Sequence, residues 1–118
     1  HGMDLISMIA PTSEERIDTI ARDAEGFIYC VSSLGVTGTR SSITTDLDSI
    51  VARICAVTDT PIAIGFGISN PEQAAIMAAK SDGAIVGSAI VKIIAAEGEN
   101  AVLAVGEFAR KMVEAVRA

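Results

Sequence analysis

Between Pro61 and Lys92 the sequence alternates twice between a short apolar run and a helical segment, and each run ends in glycine. Ile62, Ala63 and Ile64 lead into Gly65-Phe66-Gly67. Ala84, Ile85 and Val86 lead into Gly87-Ser88. Continuous apolar runs of this length, joined by crossover helices, predict buried parallel strands, because such strands are covered on both faces. Glycines at the strand ends let backbone N–H groups approach an anion with no Cβ in the way. The helix that follows aims its unpaired N–H groups and a partial positive charge at the same place. Two such ends on neighbouring strands predict a phosphate-binding site.

The same unit recurs in the rest of the chain. Leu5–Ala10 predicts a first strand, stopped by Pro11. The T-x-x-E pattern from Thr12 to Glu15 predicts a capping box. It opens a helix from about Glu14 to Ala24, with Ile17, Ile20, Ala21 and Ala24 on one face, and Gly26 ends it. Phe27–Ser32 predicts the second strand. The loop after it, Ser33 to Ser42, contains Gly35-Val36-Thr37-Gly38 and is longer than a strand-to-helix turn needs. Long loops at strand C-terminal ends are where barrels carry function.

Thr44 or Thr45 is expected to cap a helix running to about Val57, with Leu47, Ile50, Val51 and Ile54 as its buried stripe. Asn70-Pro71 opens the next helix with an N-cap and a proline at the first position. A short helix from Ala89 to Glu97 breaks at Gly98, and an amphipathic helix runs from Asn100 to Arg117. Right-handed crossovers would make all four strands parallel. The expected architecture is α/β: a parallel (βα)4 half of a TIM (β/α)8 barrel plus closing C-terminal helices, with residues 1–118 as a single domain holding phosphate-binding loops. In such barrels the phosphate site sits on the loops after the last two strands, and a full barrel takes roughly 200 to 250 residues.

Composition narrows the function. Half of the residues are hydrophobic but only 3% are aromatic, so the core is Ala, Val and Ile. The net charge is −6 and no basic run exists, which argues against nucleic acid. No apolar run approaches the roughly 20 residues of a membrane span. No signal peptide is evident, and the cytoplasm is the expected compartment. Cys30 and Cys55 have no CxxC spacing and read as buried structural thiols. His1 is the only histidine and stands at the first position, which argues against a Ser-His-Asp triad.

The candidate residues each have a plainer reading. Gly65-Phe66-Gly67 lacks the third glycine of a dinucleotide fingerprint and taken alone is a turn. The phosphate reading rests on three glycine-bearing strand ends together: Gly35 to Gly38, Gly65 to Gly67, and Gly87-Ser88. Tyr29, the single tyrosine, shares a strand face with Phe27 and Val31. A core tyrosine with a tied hydroxyl and a site residue both fit it. Phe66 fits an apolar pocket wall. Asp46, Asp48, Asp59 and Asp82 fall at helix starts or in turns before strands, as caps or solvated charges. No carboxylate falls at a strand C-terminal end, so no general acid or base is evident.

The segments APTSEERI, GFIYCVSSLGVTGTR, PIAIGFGIS-NPEQ and DGAIVGSAIVKII resemble the α subunit family of tryptophan synthase. The resemblance covers essentially the whole chain and corresponds to the family's second half, barrel strands five to eight with the closing helices. It implies a lyase of tryptophan biosynthesis that cleaves indole-3-glycerol phosphate to indole and glyceraldehyde 3-phosphate by a retro-aldol step. By the same resemblance Gly38, Gly67, Gly87 and Ser88 would bind the substrate phosphate, and Phe66 would pack against the indole. Tyr29 would lie beside the catalytic carboxylate, and Thr37 would belong to the mobile loop that closes over the substrate. The family's catalytic Glu and Asp come from the first half of the barrel, so the chain is expected to hold half a site and to be inactive alone. No cofactor is implied for it. Pyridoxal phosphate belongs to the β subunit, the expected partner, which receives indole through a tunnel.

Two other readings stand beside this one. Four parallel strands leave open edges near Leu5–Ala10 and Ala84–Val86, through which a self-assembling half-barrel without activity would form a homodimer. Other phosphate-binding TIM-barrel enzymes also place glycines at the last two strands, and a different substrate would follow from that.

Overall fold

Four short strands pair side by side in the order in which the chain makes them, all parallel. The computed structural model describes residues 1–32, 40–65 and 67–118, and for 40–46 the backbone alone. The strands are β1 (Ser7–Ile9), β2 (Ile28–Val31), β3 (Ile62–Gly65) and β4 (Gly83–Ala84). The helices between and after them are α1 (Ile17–Asp23), α2 (Arg40–Val57), α3 (Pro71–Ala79), α4 (Ser88–Glu97) and α5 (Ala101–Arg117). Sequential order with no reversal is an arc of a barrel wall, not a doubly wound sheet, whose strand order turns back at a switch point.

Register explains which side chains face which way. Ile9, Cys30 and Ile64 lie level across β1, β2 and β3, and all three are 0% exposed. Ile28 and Ile62 form the adjoining row on the same face. Against them pack Ile17 and Ala21 from α1 and Leu47, Ile50 and Ile54 from α2. Burial of each large aliphatic side chain here contributes about 1.5–3 kcal/mol. The opposite face carries Met8, Tyr29, Ala63 and Gly83 in one row. Met8 on that face is 59% exposed. Among the described residues the helices pack on one side of the sheet; on the other, Met8 is exposed and Tyr29, Ala63 and Gly83 are half-buried. A second, smaller cluster joins Ile68, Ala74 and Met112, with Phe108 and Val86 against it, and fixes α5 over α3 and the end of β4.

Several boundaries differ from those expected. The first strand shrinks from Leu5–Ala10 to Ser7–Ile9, because the Leu5 N–H donates to the Glu25 carboxylate and not to a strand. The Thr12–Glu15 capping box does not form. Proline at position 11 starts a 3-10 turn, Pro11–Arg16, whose N-cap is Ala10, two residues before Thr12, and Ser13 closes it by accepting the Ala10 N–H on its hydroxyl at 3.2 Å. The α-helix proper begins at Ile17. Further on, α2 begins at Arg40, so Thr44 and Thr45 lie inside it and neither caps it. No glycine or proline stands between Thr39 and Val57, and interior threonines cost a helix only fractions of a kcal/mol each. Cys55 is exposed, not buried. It follows Ile54 by one residue, about 100° round the helix from the buried stripe.

Of the acidic residues expected at helix starts or in turns, Asp46 and Asp48 lie inside α2, and Asp82 stands in the turn before β4. Asp82 accepts the Ile62 N–H at 2.9 Å and so ties the turn before β4 to the start of β3. Asp48 pairs with Lys80, and Asp18 with Arg53 at 2.8 Å, linking α2 to its neighbours. No described helix is long and apolar enough to cross a membrane.

Candidate functional site

The C-terminal ends of β2, β3 and β4 open into a cavity of about 780 Å³. Tyr29 reaches it from β2, Gly67 and Ser69 from the turn after β3, and Gly87, Ser88 and Lys92 from the start of α4. Four of the expected site residues are thus brought together: Tyr29, Gly67, Gly87 and Ser88. Thr37, Gly38 and Phe66, also expected at the site, lie outside the described residues, as does the 33–39 stretch of the long loop.

Each glycine is there for its own reason. Gly67 has φ +80°, a left-handed conformation that costs any other residue about 1–2 kcal/mol. Among the described residues, a Cβ on it would meet no atom within 4 Å beyond its chain neighbours. Gly87 has φ −123° and ψ −74°, outside the regular helical and extended regions, and a Cβ there would also meet no described atom within 4 Å. Gly65, by contrast, is covered. A Cβ on it would stand 2.6 Å from the Tyr29 hydroxyl oxygen and 2.8 Å from Cζ. Its absence lets the tyrosine ring lie across the end of β3. The Ser32 hydroxyl donates to the Gly65 carbonyl at 2.9 Å and fixes that strand end.

Gly87 is the N-cap of α4, and no side chain caps that end. Its carbonyl accepts the N–H groups of Ile90 and Val91 at 2.9 and 3.2 Å, which starts the helical ladder. The first N–H groups of a helix have no intrahelical partner, and those of Ser88 and Ala89 stand at the cavity with the positive end of the helix dipole. The neighbouring helix start is different. Asn70 caps α3 by accepting the Gln73 N–H at 2.8 Å, and Gln73 Oε1 accepts both the N–H and the hydroxyl of Ser69. Those donors are taken by the protein itself. An anion in this cavity therefore meets the α4 end, not the α3 end.

The remaining walls are apolar: Ile68, Ile85, Ile93 and Phe108. Phe108 comes from α5, far along the sequence, and only its i, i+4 relation to the buried Met112 marks it as inward-facing. Lys92 was not singled out by sequence reasoning either, although it follows Ser88 by four residues, one turn along the same helix face. Among the described residues, Lys92 is the one charged side chain at the cavity, and no carboxylate lines it.

Comparison with known proteins places this geometry in a family. The family model of the tryptophan synthase alpha chain matches residues 1–117. The tryptophan synthase alpha chain of Lacticaseibacillus casei is 48% identical over 118 residues, covering 100% of this chain and 44% of that protein. That of Lactiplantibacillus plantarum is 54% identical over 113 residues, covering 95% of this chain and 42% of the relative. Among solved structures, a tryptophan synthase subunit alpha from Legionella pneumophila str. Paris aligns with a TM-score of 0.79 at 31% identity, over 99% of this chain and 44% of that one. The subunit alpha from Campylobacter jejuni aligns with a TM-score of 0.71 at 39% identity, over 77% and 37%. The chain spans less than half the length of the relatives it matches.

Proposed function

The chain belongs to the tryptophan synthase alpha chain family, and from that premise we propose that it supplies the phosphate-binding half of a lyase site for indole-3-glycerol phosphate. The observation that carries this reading is the convergence of Gly67, Gly87 and Ser88 with Tyr29 on one cavity at the C-terminal ends of parallel strands. The phosphate sits at the start of α4, where the N–H groups of Ser88 and Ala89 and the Ser88 hydroxyl are donors. Gly67 and Gly87 keep the approach clear, because no Cβ projects from either. By the family resemblance, Gly38 would also bind the phosphate, Phe66 would pack against the indole, and Thr37 would belong to the loop over the substrate; all three lie outside the described residues.

Tyr29 is a supporting residue at the reacting end. Retro-aldol cleavage separates the indole ring from the glycerol phosphate chain. The side-chain hydroxyl must lose its proton as a carbonyl forms, and the indole carbon left behind must gain one. No carboxylate among the described cavity residues can carry either proton. On this reading the acid and base would come from the family's first half of the barrel, as the resemblance implies, and this chain would bind without turning over. The reading needs no cofactor in this chain. It gives the chain a tryptophan synthase β subunit as partner in the assembled enzyme and the cytoplasm as its compartment.

The test is a titration of the chain with a non-cleavable indolealkyl phosphate, followed by backbone amide NMR. Shifts centred on Gly67, Gly87, Ser88 and Gly38 are expected. A well-dispersed spectrum that does not move removes the binding role.

A second reading, a homodimer, draws on the sheet. Its inner face presents Met8 at 59% exposure, and β1 and β4 each have one strand neighbour. A second copy of the chain would pair with those edges. Sedimentation at high concentration tests it: a clean monomer removes it.

A further inference from the structure

We propose that Lys92 is the cationic binding residue of the cavity, making an ion pair with a phosphate monoester held at the start of α4. This rests on the phosphate reading above and adds to it a residue that sets both affinity and preference for a charged ligand.

The first argument is register. Lys92 and Ser88 are four residues apart on α4, and both line the cavity. Side chains on a helix lean toward its N-terminus. The Lys92 stem therefore runs back over the first turn, toward Ser88 and Gly87, and brings its ammonium to the end where the backbone donors stand.

The second argument is charge. The chain carries a net −6, so a dianion approaching it meets a repulsive field on average. At the cavity the sign is reversed. Lys92 is the one charged residue among the described lining, and the rest are Gly, Ser, Tyr or apolar. A single cation opposed by no carboxylate makes the cavity a local minimum for an anion.

The third argument is availability. The chain has three lysines: Lys80, Lys92 and Lys111. Lys80 is paired with Asp48 and Lys111 with Glu107. Lys92 makes no ion pair among the described residues. An ammonium on a four-carbon stem is a mobile point charge, well matched to the three equivalent oxygens of a phosphate monoester.

The experiment is calorimetric titration of the chain with 3-indolepropyl phosphate and with uncharged 3-indolepropanol, at low and high salt. It compares the wild type with Lys92→Met, Lys92→Arg and, as a control, Lys111→Met, each checked for its helical circular dichroism. Lys92→Met should weaken the phosphate by about tenfold, leave the alcohol unchanged, and flatten the salt dependence. Lys92→Arg should retain most of the affinity, and Lys111→Met should behave as wild type. If Lys92→Met binds the phosphate as wild type does, with the same salt dependence, the role of Lys92 is overturned while the cavity reading stands. If wild type shows no preference for the phosphate over the alcohol, both fall together.

Discussion

The Tyr29 hydroxyl oxygen lies 2.6 Å from the point where a β-carbon on Gly65 would stand. Tyr29 pairs with Ala63 in the register, two residues before Gly65, so its ring leans along the sheet toward the strand ends and over the glycine. The position of the one tyrosine at the cavity thus depends on a missing side chain on the next strand. The Ser32 hydrogen bond to the Gly65 carbonyl keeps that strand end from moving aside.

Gly65→Ala should therefore act through Tyr29. The added methyl cannot fit without displacing the ring, and overpacking of this kind costs about 1–3 kcal/mol. Tyr29→Leu removes the ring atoms that the methyl would strike. In a double-mutant cycle measured by urea unfolding, Gly65→Ala should cost less in the Tyr29→Leu background, with a coupling of roughly 1 kcal/mol or more. Additive effects of the two changes would show that the strand end relaxes independently of the ring.

Gly67 and Gly87 should separate stability from binding. Gly67→Ala places a β-carbon at φ +80° and should lower unfolding free energy by about 1–2 kcal/mol. Gly87→Ala meets no described protein atom within 4 Å and has a negative φ, so it should cost less unfolding free energy than Gly67→Ala. Its affinity for an indolealkyl phosphate should nevertheless drop, because the methyl projects where the ligand approaches. A Gly87→Ala protein that binds normally would remove Gly87 from the site.

The cap on α3 offers an independent check of the turn after β3. Asn70→Ala should cost about 1 kcal/mol, as loss of an N-cap does. Asn70→Asp should hold the stability or raise it slightly, since a carboxylate there also meets the helix dipole. Thermal melts of the two variants decide it, and equal melting temperatures for Asn70→Ala and wild type would show that the cap is not made in solution.

Much of the fold was legible because it depends on local pattern. The stripes Ile17-Ala21 and Leu47-Ile50-Ile54 are buried as their spacing implies, and Asn70-Pro71 starts a helix as its chemistry requires. Boundaries were less legible, for reasons that lie in tertiary partners. Nothing in LISMIA says that the Leu5 N–H will find Glu25, twenty residues on. Ser13 took the place expected of Glu15, accepting the N-cap N–H, because the turn at Pro11 put the N-cap at Ala10, two residues before Thr12. Glycines at strand ends pointed to the cavity, but they did not distinguish Gly65, which makes room for Tyr29, from Gly87, where a Cβ would meet no described atom within 4 Å. Phe108 and Lys92 were missed because each reaches the cavity from a helix whose placement depends on packing after β4.

The two thiols should part company with pH and with reagents. Cys30 is 0% exposed on β2, and burial pushes its pKa from 9.0 up to about 11 because a thiolate there would lose its hydration. Cys55 is exposed on α2. An aromatic disulfide reagent at about pH 8 should therefore modify Cys55 quickly and Cys30 only at the rate of opening or unfolding. The raised value also sets a direction for stability. Below about pH 9 both folded and unfolded states keep the Cys30 proton, and its contribution is fully present. Between pH 9 and 11 the unfolded chain loses that proton first, so the folded state is progressively disfavoured, by about 2–3 kcal/mol over the window. Cys30→Val, which fills the same space without a titrating group, should lose that part of the alkaline decline. Urea midpoints for wild type and Cys30→Val, measured from about pH 8 to about pH 11, test this. Parallel curves would mean that other groups, and not the buried thiol, govern alkaline stability.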